Sequence, residues 1–266
     1  MPETPNQLTV PQFSGMKADG QKLTVVTAYD YVTAGLVDSA GVEGILVGDS
    51  LSMVVQGRAN TLPVSLDEMI YHAEMVGRAV QRALVVVDMP FPTHLLGRHK
   101  AIENAGRILK ESRCQAVKLE GGVEQADTIA ALTSAGIPVM AHVGLRPQSV
   151  HQLGGYRVQR DGERLLADAA AAEQAGAFAV VLECLPSEIA DNITGKIAIP
   201  TIGIGAGPGC DGQVLVVNDL IGLSSGHSPR FVKQYADVGD QIVRAIGAFR
   251  DEVREGAFPG PEHSYR

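Results

Sequence analysis

The sequence predicts an α/β protein, a single (β/α)8 TIM barrel domain that spans residues 1–266. A series of short apolar runs ends each time on a polar or charged residue, and helical patterns lie between the runs. Runs that are rich in Val, Ile and Leu, without alternation, are typical of parallel strands buried on both faces. A chain of 266 residues with 45% hydrophobic residues also suits one large core better than two small domains.

The strands are predicted from these runs and from the Gly and Pro residues that bound them. For the eighth strand, the run at 220–223 is a candidate continuation. The predicted strands cover 23–28, 44–50, 84–88, 116–120, 139–142, 179–183, 200–204 and 214–217.

The helix starts are predicted from capping residues. Ser65 and Glu68 have the spacing of a capping box, and Asp30 is placed to cap the helix after the first strand. Gly41 is expected to end that helix in the left-handed conformation. The long segments 51–63 and 143–162 are expected to be irregular loops. Further helices are predicted over 102–111, 124–135, 163–175, from Pro186 onward, and 238–253.

Charge and composition exclude several classes of protein. The net charge is −8, the pI is near 5.4, and no block rich in Lys or Arg is present, which argues against a nucleic-acid partner. No apolar run approaches the length of a membrane span, and residues 1–20 lack the apolar core of a signal peptide. The three scattered cysteines favour a reducing cytoplasm. Cys184 is expected to pack rather than to act as a nucleophile, because strand alternation turns it away from the interior.

Three acids follow successive strands, and this pattern predicts a metal site. Asp49, Asp88 and Glu120 stand at the carboxyl ends of strands two, three and four, where a β/α barrel builds its site. Two like charges about 4 Å apart repel by roughly 4 kcal/mol at an effective dielectric near 20, so a cation is expected between them. Oxygen-only ligands favour Mg²⁺ over Zn²⁺. The alternative is that each acid only caps the helix that follows it.

Three further residues are candidates for the chemistry. Lys118 shares a strand face with Glu120. Three roles are open for it: binding a substrate carboxylate, pairing with a buried acid, or forming a Schiff base. The surrounding acids should keep its amine charged, which disfavours the Schiff base. His142 either binds a substrate oxygen or is structural. Glu183, on a strand distant from the three acids, is either a proton acceptor or a helix cap.

The glycine-rich segment 203–207 resembles a phosphate-binding loop. A barrel often binds phosphate after strands seven and eight, but no predicted helix follows this segment directly. The segment is therefore a weak signal, and the glycines would equally allow a ligand to approach the backbone closely.

Taken together, the motifs of the chain resemble those of the ketopantoate hydroxymethyltransferase family. The resemblance runs over nearly the whole length, from Thr27 to Ser264. The matching blocks cover 46–50, 61–64, 117–122, 144–150, 154–156 and 203–207.

The resemblance implies a barrel of the phosphoenolpyruvate/pyruvate type that catalyses the first step of pantothenate biosynthesis. Such an enzyme transfers a hydroxymethyl group from 5,10-methylenetetrahydrofolate to 3-methyl-2-oxobutanoate, which gives 2-dehydropantoate through an Mg²⁺-stabilised enolate. The resemblance also implies a cytoplasmic homodecamer with no membrane or nucleic-acid partner.

The resemblance further implies a role for each site residue. Glu183 corresponds to the proton acceptor, and Glu120 joins the metal directly or through water. The metal ligands are Asp49, Asp88 and Glu120, and the substrate-binding residues are Asp49, Ser50, Asp88, Lys118 and His142.

Two other functions remain open from the sequence. The first is a magnesium-dependent enzyme of the phosphoenolpyruvate mutase and isocitrate lyase group, whose lyases carry a Lys-Lys-Cys-Gly-His motif that this sequence lacks. The second is a barrel without catalytic activity, which would have no need of a proton acceptor that faces a metal site. The chain departs from the family pattern at Ser52, Ala141, Asn218 and 91–94, none of which is a proposed metal ligand.

Overall fold

The computed structural model describes residues 7–224 and 229–265. Its sheet is a closed barrel of parallel strands in which each strand pairs with the next one in the chain and the last pairs with the first. The predicted fold class is therefore confirmed. The strands are β1 (Leu23–Thr27), β2 (Gly44–Val47), β3 (Leu84–Asp88), β4 (Ala116–Glu120), β5 (Val139–Gly144), β6 (Ala179–Glu183), β7 (Thr201–Ile204) and β8 (Gly212–Leu215).

Helices connect most of the strands. None of the described helices combines the length and the hydropathy that crossing a lipid bilayer requires. The helices are α1 (Val10–Ala18), α2 (Tyr31–Ser39), α3 (Leu51–Val54), α4 (Leu66–Ala79), α5 (Arg98–Ser112), α6 (Ala126–Ser134), α7 (Val150–Leu153), α8 (Gly162–Gln174), α9 (Ser187–Thr194), α10 (Val217–Leu220) and α11 (Val238–Glu255), with 3₁₀ turns at Val123–Gln125, Pro147–Ser149 and Pro261–His263.

Two predicted helix starts are present as capping interactions. The Oδ1 atom of Asp30 accepts a hydrogen bond from the backbone N–H of Thr33 at 2.9 Å. At the start of α4, Ser65 Oγ accepts from the backbone N–H of Glu68 at 3.2 Å, while Glu68 Oε2 accepts from the backbone N–H of Ser65 at 2.7 Å. These local bonds satisfy N–H groups that the helix itself leaves free.

Helix α1, which the sequence pattern did not predict, packs against the core near the amino ends of the strands. A capping box of Thr9 and Gln12 starts it. Its Phe13 is fully buried among inward-facing strand residues and meets the ring of Phe178 edge to face, with 5.9 Å between the ring centroids. The amine of Lys17 lies 2.9 Å from a carboxylate oxygen of Asp211, which anchors the other end of the helix.

The predictions for the two long loops were partly wrong. Segment 51–63 contains α3, and segment 143–162 contains a 3₁₀ turn and α7. Hydrophobic periodicity does not detect helices as short as these, because they have less than two turns over which a pattern can repeat.

The prediction for strand eight was also wrong in detail. Strand β8 is Gly212–Leu215, and Leu220 ends the helix α10 instead of continuing the strand. A Cβ atom at Gly212 would lie 2.4 Å from the carbonyl oxygen of Leu23, so a glycine is needed where β8 meets β1. The predicted strand lay too far toward the carboxyl side because the residues that follow Leu215 are also apolar. Residues 205–211 join β7 to β8 without a helix.

The chain divides into two compact units, Met1–Val216 and Val217–Arg266. The barrel strands all belong to the first unit, and the second contains α10 and α11. The predicted last helix is present as α11, but none of its residues is buried. Whether both units form the single domain 1–266 stays a prediction, and residues 1–6, 225–228 and 266 of that domain lie outside the described part of the chain.

Candidate active site

The predicted site residues lie at or near the carboxyl ends of strands β2 to β6. Asp88, Glu120 and Glu183 are the last residues of β3, β4 and β6, Asp49 comes just after β2, and His142 lies within β5. Glu183 is partly buried, and the other four are buried. The parallel barrel brings these ends together at one mouth, where barrel enzymes bind their substrates.

Asp49 and Asp88 are direct neighbours. The backbone N–H of Asp49 donates a hydrogen bond to Oδ2 of Asp88 at 3.0 Å. Burial and, next, the negative charge of Asp88 raise the pKa of Asp49 to about 7. A Cβ atom at Gly48 would lie 2.8 Å from Oγ of Ser50, so this glycine leaves room for the serine hydroxyl next to the pair. The site therefore holds two acids whose full ionisation needs a compensating positive charge.

Lys118 supplies part of that positive charge. Its Nζ lies 3.0 Å from Oδ1 of Asp88 and 3.1 Å from Nδ1 of His142. Burial alone would lower the pKa of Lys118, but the charges of Asp88, Glu120 and Asp49 outweigh burial and hold it above its usual value. An amine that stays protonated is not a nucleophile, so the structure disfavours a Schiff base at this lysine.

His142 connects Lys118 with Glu183. Burial and then the charge of Lys118 lower the pKa of His142, so the imidazole is neutral. Because an ammonium group can only donate, Nδ1 of His142 accepts from Lys118, and the ring proton is on Nε2. This Nε2 lies 3.2 Å from Oε2 of Glu183. The separation is short, but the geometry is not that of a hydrogen bond, so the imidazole lies beside Glu183 without adding a charge there.

Glu120 is held by a residue that the sequence reasoning did not single out. Its Oε2 accepts a hydrogen bond from the backbone N–H of Gln148 at 3.0 Å, and the side chain of Gln148 donates to Oδ2 of Asp49 at 2.8 Å. Burial and then the charge of Asp49 raise the pKa of Glu120 well above its usual value. Gln148 lies in a 3₁₀ turn of a long loop, and only its place in the motif 144–150 pointed to it.

The site offers Mg²⁺ two carboxylate ligands from the protein rather than a complete set. Within residues 7–224 and 229–265, no group of three or more His, Cys, Asp or Glu side chains could hold a metal ion. Mg²⁺ is commonly bound by one or two carboxylates, with water and substrate as the other ligands. Oδ1 of Asp88 is buried and has, apart from its ion pair with Lys118, no hydrogen-bond partner in the described chain. Asp49 and Asp88 therefore fit the ion, and a role of Glu120 at the metal stays a prediction.

Ser50 is positioned by a tyrosine that the sequence reasoning also missed. The hydroxyl groups of Ser50 and Tyr29 lie 2.8 Å apart, and either can donate. Tyr29 follows β1 and is buried, so its hydroxyl fixes the side chain of Ser50 from inside the barrel. No spacing rule connects these two residues, because the contact depends on the pairing of β1 with β2.

Two weaker candidates from the sequence have structural explanations. A Cβ atom at Gly207 would lie 2.5 Å from Cβ of Ser187, so this glycine allows the segment to pack against α9. No helix follows 203–207 directly, and the segment therefore lacks the helix N-terminus that usually binds phosphate. Burial and the charge of Glu183 raise the pKa of Cys184 to about 11, which disfavours a nucleophilic thiolate.

Comparison with known sequences gives matches over nearly the whole chain. A family model described as ketopantoate hydroxymethyltransferase matches residues 7–261. The 3-methyl-2-oxobutanoate hydroxymethyltransferase of Desulforapulum autotrophicum is 57% identical over 251 residues, which cover 94% of this chain and 95% of that protein. The enzyme of the same name from Rhodopirellula baltica is 54% identical over 260 residues, which cover 98% of this chain and 97% of the relative.

Comparison with solved structures supports the barrel fold. A structure of 2,3-dimethylmalate lyase, a member of the phosphoenolpyruvate mutase/isocitrate lyase superfamily, matches with a TM-score of 0.60 and 20% identity. The match covers 96% of this chain and 88% of the lyase. At this level of identity the likeness concerns the fold alone.

Proposed function

The chain belongs to the ketopantoate hydroxymethyltransferase family, and we propose that its barrel mouth transfers a hydroxymethyl group to 3-methyl-2-oxobutanoate through an enolate. The chain is thus an enzyme, a transferase whose relatives carry the name of this reaction. The observation that carries the proposed mechanism is the Asp49–Asp88 pair with Lys118 beside it, because this group joins a cation site to a fixed positive charge.

Asp49 and Asp88 are the residues that would hold Mg²⁺. When it is bound, Mg²⁺ supplies a Lewis acid that stabilises the negative charge which develops on the substrate. Lys118 remains protonated next to Asp88 and presents a second positive charge to the carboxylate of the oxoacid. Such charges, set in place before the reaction, favour the transition state because the charge of the enolate appears only as the proton leaves.

Glu183 is proposed as the base that removes the proton from C3 of the oxoacid. Its Oε2 lies 3.2 Å from Nε2 of the neutral His142. Glu183 ends β6, away from the Asp49–Asp88 pair on β2 and β3, so one side of the substrate can face the acids while the other faces the base. This placement on a separate strand supports the role of Glu183 as the general base.

The carbon that is transferred comes, in this proposal, from 5,10-methylenetetrahydrofolate. The enolate carbon forms the new carbon–carbon bond with the methylene carbon, and both bonds from that carbon to the two folate nitrogens break. Water supplies the hydroxyl oxygen, and the two nitrogens take up one proton each, one from C3 of the oxoacid and one from water. The products are 2-dehydropantoate and tetrahydrofolate, in the first step of pantothenate biosynthesis.

The purified chain can be assayed directly for this reaction. With 3-methyl-2-oxobutanoate and 5,10-methylenetetrahydrofolate, we expect 2-dehydropantoate to form in the presence of Mg²⁺ and to stop forming when EDTA is added. The same assay with the folate left out controls for other carbon sources. Undiminished turnover in EDTA would refute the role of Mg²⁺, and no turnover with any divalent cation would refute the proposed reaction.

We also propose a cytoplasmic homo-oligomer, a decamer by family resemblance. The support from this chain is an apolar face on α11, where Ile242, Val243, Ile246, Phe249 and Val253 are between 43% and 71% exposed. Contiguous apolar surface of this kind usually marks an interface. Light scattering after size exclusion would give the mass of the assembly, and a monomer of 28.0 kDa would refute this part of the proposal.

A further inference from the structure

A glutamine in the loop after β5 contacts residues at the ends of three other strands. The backbone N–H of Gln148 donates to Oε2 of Glu120 at 3.0 Å, and its side-chain Nε2 donates to Oδ2 of Asp49 at 2.8 Å. The same Nε2 donates to the carbonyl oxygen of Met89 at 3.0 Å. Gln148 therefore joins the ends of β2, β3 and β4 at the barrel mouth.

The contacts of Gln148 fix the orientation of its side-chain amide. The carbonyl oxygen of Met89 can only accept, and so can the ionised carboxylate of Asp49, so an exchange of the amide oxygen and nitrogen would lose both hydrogen bonds. The residue is 8% exposed, and its Oε1 is buried without a hydrogen-bond donor among the described residues. A buried acceptor without a donor lowers stability, so its presence needs another explanation. A bound ligand that completes the site would be such an explanation.

We propose that Gln148 is a positioning residue that holds the carboxylate of Asp49 in the orientation that binds the divalent cation. The proposal rests on the cation site proposed above. A hydrogen bond to one carboxylate oxygen restricts rotation about the bond between Cβ and the carboxyl carbon. Hydrogen-bond partners of metal ligands are often worth 10- to 100-fold in metal affinity.

The side chain of Gln148 can be tested apart from its backbone. A substitution removes the bonds from Nε2 but leaves the backbone N–H that holds Glu120, so the loop keeps one anchor at the mouth. Gln148→Met preserves length and approximate volume and removes the donors. Gln152→Met is a matched control, because Gln152 is exposed in the same loop.

The test is the binding of Mn²⁺, as a probe for Mg²⁺, to the full-length protein without substrates. The electron paramagnetic resonance signal of free Mn²⁺ gives the dissociation constant directly. We expect Gln148→Met to bind Mn²⁺ 10- to 100-fold more weakly than the wild type. Gln152→Met should bind it as the wild type does. Circular dichroism of each variant establishes that it is folded.

Each outcome bears on the proposal. Equal affinity of the wild type and of folded Gln148→Met would overturn the role of Gln148 and leave the cation site intact. A wild type that binds no Mn²⁺ would overturn the cation site and the role of Gln148 together. If Gln148→Met does not fold, Gln148→Asn decides, because it keeps an amide but is one methylene too short to reach Asp49 in the same way. Wild-type affinity in Gln148→Asn would then refute the proposal.

Discussion

The Nε2 atom of His142 lies 3.2 Å from Oε2 of Glu183, and the two side chains stand on neighbouring strands of the barrel. Because Lys118 occupies the other ring nitrogen, the histidine presents its single proton to the glutamate. A neutral imidazole at this distance adds no positive charge beside the proposed base.

Glu183→Gln should abolish proton removal from the substrate. We expect the exchange of the C3 hydrogen of 3-methyl-2-oxobutanoate for deuterium to slow by about 10²- to 10⁴-fold, because the amide cannot accept the proton. Proton NMR in D₂O without folate measures this exchange apart from carbon transfer. The exposed Glu188, on α9, gives the control Glu188→Gln, which should exchange normally. Normal exchange in Glu183→Gln would remove Glu183 as the base.

Asp49→Asn should remove most of the Mg²⁺-dependent activity. The loss of one cation ligand takes away several kcal/mol of transition-state stabilisation, so we expect kcat/KM to fall by more than about 100-fold. The measurement is an Mg²⁺ titration of the full reaction. Asp30→Asn serves as the control, because Asp30 caps α2 and asparagine caps helices equally well. An unchanged titration curve in Asp49→Asn would contradict the assignment of this ligand.

The pH dependence of stability should also change in Asp49→Asn. The pKa of Asp49 is about 7 in the fold and near 3.9 in an unfolded chain, so the carboxyl group ionises more readily when unfolded. For the metal-free wild type, the free energy of unfolding should therefore decrease as pH rises from about 4 to about 7.

In Asp49→Asn the free energy of unfolding should decrease less over this pH range. Some decrease should remain, because the pKa of Glu120 is also raised. Urea unfolding in EDTA at several pH values measures the slope. A slope equal to that of the wild type would show that Asp49 has an ordinary pKa in the fold.

Lys118→Met should destabilise the protein as well as inactivate it. Removal of the ammonium group leaves the buried carboxylate of Asp88 without its ion-pair partner, and breaking such a pair costs about 3–5 kcal/mol. Urea unfolding at neutral pH gives the change in the free energy of unfolding. Lys110 is exposed on α5, and Lys110→Met should change stability by no more than about 0.5 kcal/mol. Equal stability of the two variants would argue that the ion pair is weak.

Phe13→Ala should cost about 3–5 kcal/mol of stability, because the ring is fully buried in the barrel core and its removal leaves a cavity. Phe13→Leu should cost less, since leucine fills part of the same volume. Thermal and urea unfolding measure both changes. A loss below about 1 kcal/mol for the alanine variant would mean that α1 contributes little to the core.

Features set by nearby residues could be predicted from the sequence. The cap at Asp30 and the capping box at Ser65 depend on side chains within three positions, and both are present. Strand β6 matches its predicted bounds, because a Gly and a Pro lie close to its two ends. Helix α1 was missed, since a single buried residue, Phe13, makes no periodic pattern.

The site residues divide in the same way, into those that the local sequence predicts and those that only the folded barrel brings together. The acids could be found because the end of a parallel strand predicts where its side chain lies. Gln148 and Tyr29 could not be assigned in this way, because they meet Asp49 and Ser50 only after the barrel has closed. Apart from its place in the motif 144–150, Gln148 has no feature in the sequence that distinguishes it from a solvated surface residue.

Among the described residues, the buried ring of Phe13 packs into the core near the amino ends of the strands. The substrates of the proposed reaction would therefore enter and leave at the opposite rim, which carries the acids.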